Sequence, residues 1–330
     1  MPETPRVFVT RRLPEAGLAA LGSAGLTVDV RQADDPIDRH ELLERVRGAA
    51  AVITLLTDPV DEALLEAAGP QLRIVANYAV GYDNIDVAAC NRRQIAVSNT
   101  PDVLTEATAD QAFALLLSVA RRVREGHELV ASGGWTGWQP LQLVGREVGG
   151  ATLGIVGMGR IGRAVARRGA GFGMRLLYHN RRRDEAAEAE LGARYVTLEE
   201  LLAASDAVSL HAPLTEATHH LIDAAALARM KATAILVNTA RGAVVDEAAL
   251  VAALRDGTLW GAGLDVFEHE PAVHPGLLEL PNVVLAPHLG SATESSRTAM
   301  ARLASEAVLA ALDGRAAGNV LNPEVFGPDA

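Results

Sequence analysis

The sequence predicts an α/β fold built from two doubly wound parallel sheets, and three observations carry that expectation. Short apolar, β-branched runs recur along the chain and alternate with segments of helical period. One such run, 151–156, leads through closely spaced glycines into a helical pattern. The length of 330 residues suggests about two domains, and 49% apolar content is enough to fill both cores. Short strands alternating with helices imply parallel sheets covered on both faces, and right-handed crossovers make them doubly wound.

Taken in order, the candidate strands of the first part are Arg6–Thr10, Thr27–Arg31, Ala51–Leu55, Arg73–Asn77 and Ala96–Ser98, with helical patterns such as Glu41–Arg47 and Asp61–Ala68 between them. Ligands of such sheets sit beyond the carboxyl ends of strands, which singles out the loops Leu55-Leu56-Thr57 and Tyr78–Asp83. Glycine in Val80-Gly81 frees two backbone N–H groups to face a carboxylate, or simply makes a tight turn. Asn99-Thr100-Pro101 breaks the pattern and reads as a hinge or domain crossing. One long amphipathic helix is expected over 104–125, with Ala112, Leu115, Leu116 and Val119 at helical spacing and Thr105 and Thr108 supplying capping oxygens. Residues 126–150 are glycine-rich and hold Trp135 and Trp138, which suits an arm or subunit contact, or a loop packed on its own domain.

The segment Ala151–Val156, Gly157-Met158-Gly159-Arg160-Ile161-Gly162 and the helical Ala164-Val165-Ala166 gives strand, glycine turn and helix in the order a dinucleotide needs. Gly157 makes the tight turn, Gly159 lets backbone approach a pyrophosphate, and Gly162 lets helix and strand pack closely. The helix start offers free N–H groups to phosphate oxygens. A second strand, Arg175–His179, ends where a ribose-reading side chain belongs. That position is Asn180, neutral, followed by Arg181-Arg182-Arg183. An acid there would favour NAD and repel a 2′-phosphate. An amide and guanidinium forks favour NADP over NAD, unless the arginines form only a solvated loop.

More βα units follow. Thr197 and Glu200 form a capping box before Leu201-Leu202. Strands are expected at Ala207–His211, Ala234–Asn238, Gly261–Val266 and Val283–Ala286, with a helix opened by Asp246 and a terminal helix over 293–312. Arg241, Glu270 and His288 each lie just past one of these strands, so they share the edge that carries the glycine turn. Arginine can clamp a carboxylate, histidine can pass a proton near neutral pH, and a carboxylate beside it can orient that histidine. Together these are the parts needed to reduce a 2-keto acid with a bound nicotinamide.

Composition excludes several classes. The net charge is −11 and no basic tract exists beyond 181–183, which argues against nucleic acid. Cys90 is the single cysteine, so no intrachain disulfide forms, and no His, Asp or Glu spacing predicts a metal site. The start Met1–Arg6 has no apolar region behind a basic one, and no apolar run reaches membrane-spanning length. A cytoplasmic protein is expected.

The stretches Asn77–Asp86, Gly157–Gly162, Asn238–Gly242, Gly263–Pro271 and Ala286–Ser291 together resemble the D-isomer-specific 2-hydroxyacid dehydrogenase family, over nearly the whole chain. Trp135–Pro140 resembles its glyoxylate/hydroxypyruvate reductase branch, and glutamate rather than glutamine at 270 disfavours the formate dehydrogenases. The resemblance implies a Rossmann cofactor domain, 100–288, and a flavodoxin-like substrate domain made of 1–99 and the returning 289–330. It makes Arg241 the anchor of substrate carboxylate and carbonyl, His288 the proton donor, Glu270 its partner and Asp265 the holder of the nicotinamide amide. Val80 and Gly81 would grip the carboxylate by their backbone. Leu56, Val80, Gly81, Arg241 and Trp138 are then candidate substrate contacts. Candidate cofactor contacts are Thr105, Gly157, Met158, Gly159, Arg160, Ile161, Gly162, Asn180, Arg181, Arg182, His211, Pro213, Thr239, Ala240, Arg241, Asp265, His288 and Gly290. A homodimer joined through the cofactor domains is implied. The expected reaction is reduction of glyoxylate or hydroxypyruvate by NADPH or NADH. Two alternatives stay open: another D-2-hydroxyacid such as 3-phosphoglycerate, or a dinucleotide-sensing corepressor or scaffold on the same fold.

Overall fold

The computed structural model describes residues 4–327, so the first three residues of the Met1–Arg6 start lie outside the described residues. The chain divides into two compact units, residues 1–104 with 292–330 and residues 105–291.

The first unit runs β1 (Arg6–Val9), α1 (Glu15–Ser23), β2 (Thr27–Val30), α2 (Arg39–Arg45), β3 (Ala51–Thr54), α3 (Glu62–Ala68), β4 (Ile74–Asn77), α4 (Val87–Arg92) and β5 (Ala96–Ser98). Its five strands are parallel in the order β2-β1-β3-β4-β5. That is the flavodoxin-type winding. Strands β3, β4 and β5 are buried at every position, which is why they read as continuous apolar runs rather than alternating ones. Asp38, Asp61 and Asp86 cap α2, α3 and α4 through their carboxylates, each such cap contributing roughly 1 kcal/mol.

The second unit opens with α5 (Thr105–Ala120) and α6 (Val123–Ala131), then β6 (Thr152–Val156), α7 (Arg160–Gly171), β7 (Arg175–His179), α8 (Glu185–Leu191), β8 (Arg194–Tyr195), α9 (Leu198–Ala204), β9 (Ala207–Leu210), α10 (Ala224–Arg229) and β10 (Ile235–Asn238). It closes with α11 (Glu247–Arg255), β11 (Gly261–Leu264), α12 (Pro275–Leu278) and β12 (Val283–Leu285). The seven strands are all parallel, in the order β12-β11-β10-β9-β6-β7-β8. The order reverses between β6 and β9, so that crevice is the switch point where such sheets bind ligands. The capping box expected at Thr197 forms both of its bonds.

The helix expected over 104–125 is instead two helices. Arg146 N–H donates to Ala120 O at 2.7 Å, ending the ladder of α5, and Arg122 turns with φ of 53° before α6 starts. Arg122 holds that turn by bonding Glu125 through Nε at 2.8 Å and Nη2 at 2.6 Å. The short edge strand β8 has two exposed residues and no apolar alternation, so pattern alone could not find it. The terminal helix α13 (Glu294–Leu312) belongs to the first unit, where its Ser305 Oγ donates to Gly17 O at 2.9 Å.

Candidate active site

The cofactor edge of the second unit is built from the β6 turn outward. Gly157 has φ of 97°, and a Cβ there would lie 2.7 Å from the His211 carbonyl carbon and the Ala212 nitrogen. A Cβ at Gly162 would lie 2.1 Å from Gly157 O, so only glycine lets α7 approach β6 this closely. Gly159 faces open space at the start of α7, leaving room for a phosphate beside the N–H groups of the helix. Met158 N–H donates to Asn180 Oδ1 at 2.8 Å, which ties the glycine turn to the end of β7. With Oδ1 taken, the Asn180 amide presents its Nδ2 donor to whatever occupies the crevice. Arg181 and Arg182 are exposed and have no hydrogen bond or ion pair with the described residues, whereas Arg183 is held by Glu188 at 2.6 and 2.7 Å.

Past β9, His211 Nε2 lies 2.8 Å from Ser209 Oγ. The residue as a whole is only half-buried, yet burial of its ring pushes the imidazole down to about 3, so it is neutral at physiological pH. Pro213 is exposed just beyond it, while Thr105, Arg160 and Ile161 lie at the starts of α5 and α7. Past β10, Asn238 bonds both ends of the following turn: Oδ1 accepts from Ala240 N at 3.0 Å and Nδ2 donates to Arg241 O at 2.9 Å. Thr239 Oγ1 in that turn is buried with no partner. An orphan hydroxyl on the cofactor edge, a side-chain-free cradle at Gly159 and an amide at the ribose position fit a nicotinamide dinucleotide.

The chemical groups lie past β10, β11 and β12. His288 Nδ1 is 2.9 Å from Glu270 Oε2, and Glu270 Oε1 accepts from Phe267 N at 3.0 Å. Burial pushes Glu270 up, but the His288 bond and charge, the Phe267 N–H and the charge of Arg241 outweigh it and hold the carboxyl below its ordinary value. Glu270 is therefore ionised at neutral pH and accepts the Nδ1 proton, which leaves Nε2 as the outward nitrogen. Because the folded-state value is the lower one, the pair adds stability above the ordinary carboxyl range and loses it as pH falls through that range.

His288 has φ of 55°, a left-handed conformation that costs a non-glycine residue about 1–3 kcal/mol. Asp265 offsets that cost. Its carbonyl accepts from His288 N at 2.9 Å, and its carboxylate accepts from Leu289 N at 2.8 Å and Gly290 N at 2.7 Å. Thr108 Oγ1 donates to Gly290 O at 3.1 Å, and Gln111 Nε2 donates to Asp265 Oδ1 at 3.3 Å. Burial raises the Asp265 carboxyl in spite of those N–H bonds. Three of its roughly four acceptor positions are used inside the protein, so one is left for an amide. Gln111 is a scaffold residue that sequence reasoning missed, Asn238 stood out only as part of a motif, and Thr108, expected to supply a capping oxygen, donates to Gly290 O instead; tertiary partners give all three their role.

In the first unit, Leu56, Val80 and Gly81 lie past β3 and β4. Asn99 Nδ2 donates to Val80 O at 2.8 Å and Asn77 Nδ2 to Gly81 O at 2.7 Å. With both carbonyls pinned, the Val80 and Gly81 N–H groups have no partner among the described residues. Buried Asp58 fixes the Leu56 loop by accepting from Leu55 N at 2.8 Å and Thr10 Oγ1 at 2.5 Å. In the second unit, Trp138 is 82% exposed between α6 and β6, alongside exposed Trp135, Leu141 and Val144.

A dinucleotide crevice, an arginine and an ionised Glu–His pair on one sheet edge define a nicotinamide-dependent dehydrogenase. Comparison with known proteins narrows the class. Residues 113–290 match the model of the D-isomer specific 2-hydroxyacid dehydrogenase NAD binding domain. The chain is 54% identical to a glyoxylate reductase of Korarchaeum cryptofilum, with 97% of each chain covered, and 50% identical to one of Thermococcus litoralis, with 98% of each covered. A crystal structure of an NADPH-dependent glyoxylate/hydroxypyruvate reductase from Sinorhizobium meliloti, in complex with NADP and malonate, is similar at a TM-score of 0.87 and 36% identity, covering 99% of this chain and 100% of that one. The chain belongs to the D-isomer specific 2-hydroxyacid dehydrogenase family, as an NAD(P)-dependent enzyme. Among the described residues no helix is long and apolar enough to cross a membrane.

Proposed function

We propose that this chain reduces glyoxylate and hydroxypyruvate to glycolate and D-glycerate, with NADPH preferred over NADH, as a cytoplasmic homodimer. The observation that carries the chemistry is the 2.9 Å contact of His288 Nδ1 with ionised Glu270 on the edge that holds the glycine turn. The names of the close relatives support the substrate. The reduced nicotinamide, when bound, supplies the hydride to the keto carbon. His288 gives the Nε2 proton to the keto oxygen, and Glu270 stabilises the ring while it is charged. Arg241 opposes the charge growing on that oxygen and clamps the carboxylate. In the first unit taken by itself, the Val80 and Gly81 N–H groups are left to receive a carboxylate, and Leu56 is assigned to the short carbon chain of the substrate. A panel of glyoxylate, hydroxypyruvate, pyruvate and 3-phosphohydroxypyruvate tests this. The first two should give the highest kcat/KM, and preference for the phosphorylated acid would reject the substrate.

The Glu270–His288 pairing predicts a pH effect. Glu270, held below its ordinary value, must be ionised to accept the Nδ1 proton, so the wild-type rate should fall as pH drops through that lowered carboxyl range, and Glu270→Gln should lose this acidic limb. An unchanged pH–rate profile would contradict the pairing.

The cofactor preference rests on Asn180, Arg181 and Arg182. An aspartate at 180 would accept the same Met158 N–H and aim its second, negative oxygen at the ribose, whereas Asn180 offers a donor there. Arg181 and Arg182 are unspent charges beside it, and a guanidinium matches phosphate geometry. At fixed glyoxylate, kcat/KM should favour NADPH in the wild type and swing towards NADH in Asn180→Asp with Arg181→Ala. A wild type favouring NADH by tenfold, about 1.4 kcal/mol, would refute the preference.

The exposed run of Trp135, Trp138, Leu141 and Val144 supports a second copy of this chain as partner. Large apolar groups left in water by the single chain gain most from an interface. Trp138 is assigned to the substrate pocket of the partner. Trp138→Ala should change the glyoxylate to hydroxypyruvate preference, and a monomeric wild type in sedimentation would rule this out.

A further inference from the structure

His219, His220 and Glu268 each offer one ligand atom, and the three atoms lie within 4.8 Å of one another. Two loops of the second unit bring them together. His219-His220 lies between β9 and α10, with His220 N–H bonded to Ala243 O at 2.8 Å and a left-handed φ of 49°. Glu268 follows β11, and its N–H donates to Glu247 Oε1 at 2.8 Å. The two imidazoles stack with centroids 4.0 Å apart, and His220 Nε2 sits 2.7 Å from Glu268 Oε1. His219 is exposed, while His220 and Glu268 are half-buried. Neither the reductive chemistry nor the packing of the sheet requires an exposed histidine at this point.

We propose that His219, His220 and Glu268 bind one divalent transition-metal ion of the zinc, cobalt or nickel type, outside the reductive site. Two imidazoles and one carboxylate form a donor set that suits these ions, whereas magnesium and calcium take oxygen ligands. Ligand atoms of a tetrahedral zinc stand about 3.3 Å apart, given bonds near 2.0–2.1 Å. The His220–Glu268 contact opens by less than about 1 Å to reach that spacing, and the third ligand atom closes in as the exposed His219 ring turns. Water completes the coordination on the solvent side. The bound ion ties the loop after β9 to the segment after β11 that also carries Glu270. Occupancy therefore stiffens the mount of the Glu–His pair without touching it.

The test uses the untagged full-length protein, stripped with a chelator and titrated with Co²⁺. The wild type should take up one equivalent with a visible d–d band, release it to Zn²⁺, and melt at higher temperature with Zn²⁺ than without. His219→Ala changes an exposed side chain, so its metal-free melting should match the wild type, while its Co²⁺ affinity drops by at least about tenfold. Glu268→Gln should lose the band as well, and His127→Ala, an exposed histidine elsewhere, should keep it. A wild type with no cobalt band, or a band that survives both His219→Ala and Glu268→Gln, would overturn the site.

Discussion

His288→Ala should lower kcat for glyoxylate reduction by about 10²–10⁴-fold, the usual worth of a positioned general acid, with cofactor affinity close to wild type. The reasoning is that the loop is held by its backbone. His288 N, Leu289 N and Gly290 N all bond Asp265, and none of those bonds needs the imidazole. Alanine pays a left-handed penalty like that of histidine, so the edge stays built and only the proton donor leaves. Turnover at saturating substrate and cofactor, together with a binding titration of the cofactor, separates the two quantities. Near-wild-type turnover would remove His288 from the chemistry.

Gly242→Ala should be nearly as damaging, though it changes no reacting group. A Cβ at Gly242 would lie 1.8 Å from the Phe267 carbonyl carbon, 2.0 Å from its oxygen and 2.3 Å from Glu268 N. All three are backbone atoms of the segment that leads to Glu270, so no flexible side chain can yield. The segment must shift, and Arg241, the preceding residue, shifts with it. Overpacking typically costs about 1–3 kcal/mol, and a displacement near 1 Å in catalytic groups can cost about 10²-fold in rate. Thermal melting and kcat/KM should both fall. A variant that melts and turns over like the wild type would show that the contact relaxes without moving Glu270.

The parts of this molecule legible in the sequence are those with a local cause. Buried parallel strands leave continuous apolar runs, and the turn Gly157–Gly162 carries its glycines because two positions admit no Cβ. Arg241, Glu270 and His288 could be singled out because each lies in the segment after a strand, and the structure brings Glu270 and His288 into contact. What stayed hidden depends on partners distant along the chain. The break between α5 and α6 is set by Arg146 N–H reaching Ala120 O. The left-handed turn at His288 depends on Asp265, and the pinned carbonyl of Val80 depends on Asn99. The cluster of His219, His220 and Glu268 joins residues on separate loops, which no spacing motif could announce.

The central claim is that the edge carrying Arg241, Glu270 and His288 reduces a two-carbon keto acid with a nicotinamide. The most direct measurement incubates the purified wild type with glyoxylate and NADPH and quantifies both products. One glycolate should form for each NADPH oxidised, and His288→Ala should slow that reaction by about 10²–10⁴-fold. Tight NADPH binding with no glycolate formed, across the pH range in which the protein is folded, would contradict it and favour a dinucleotide-sensing role.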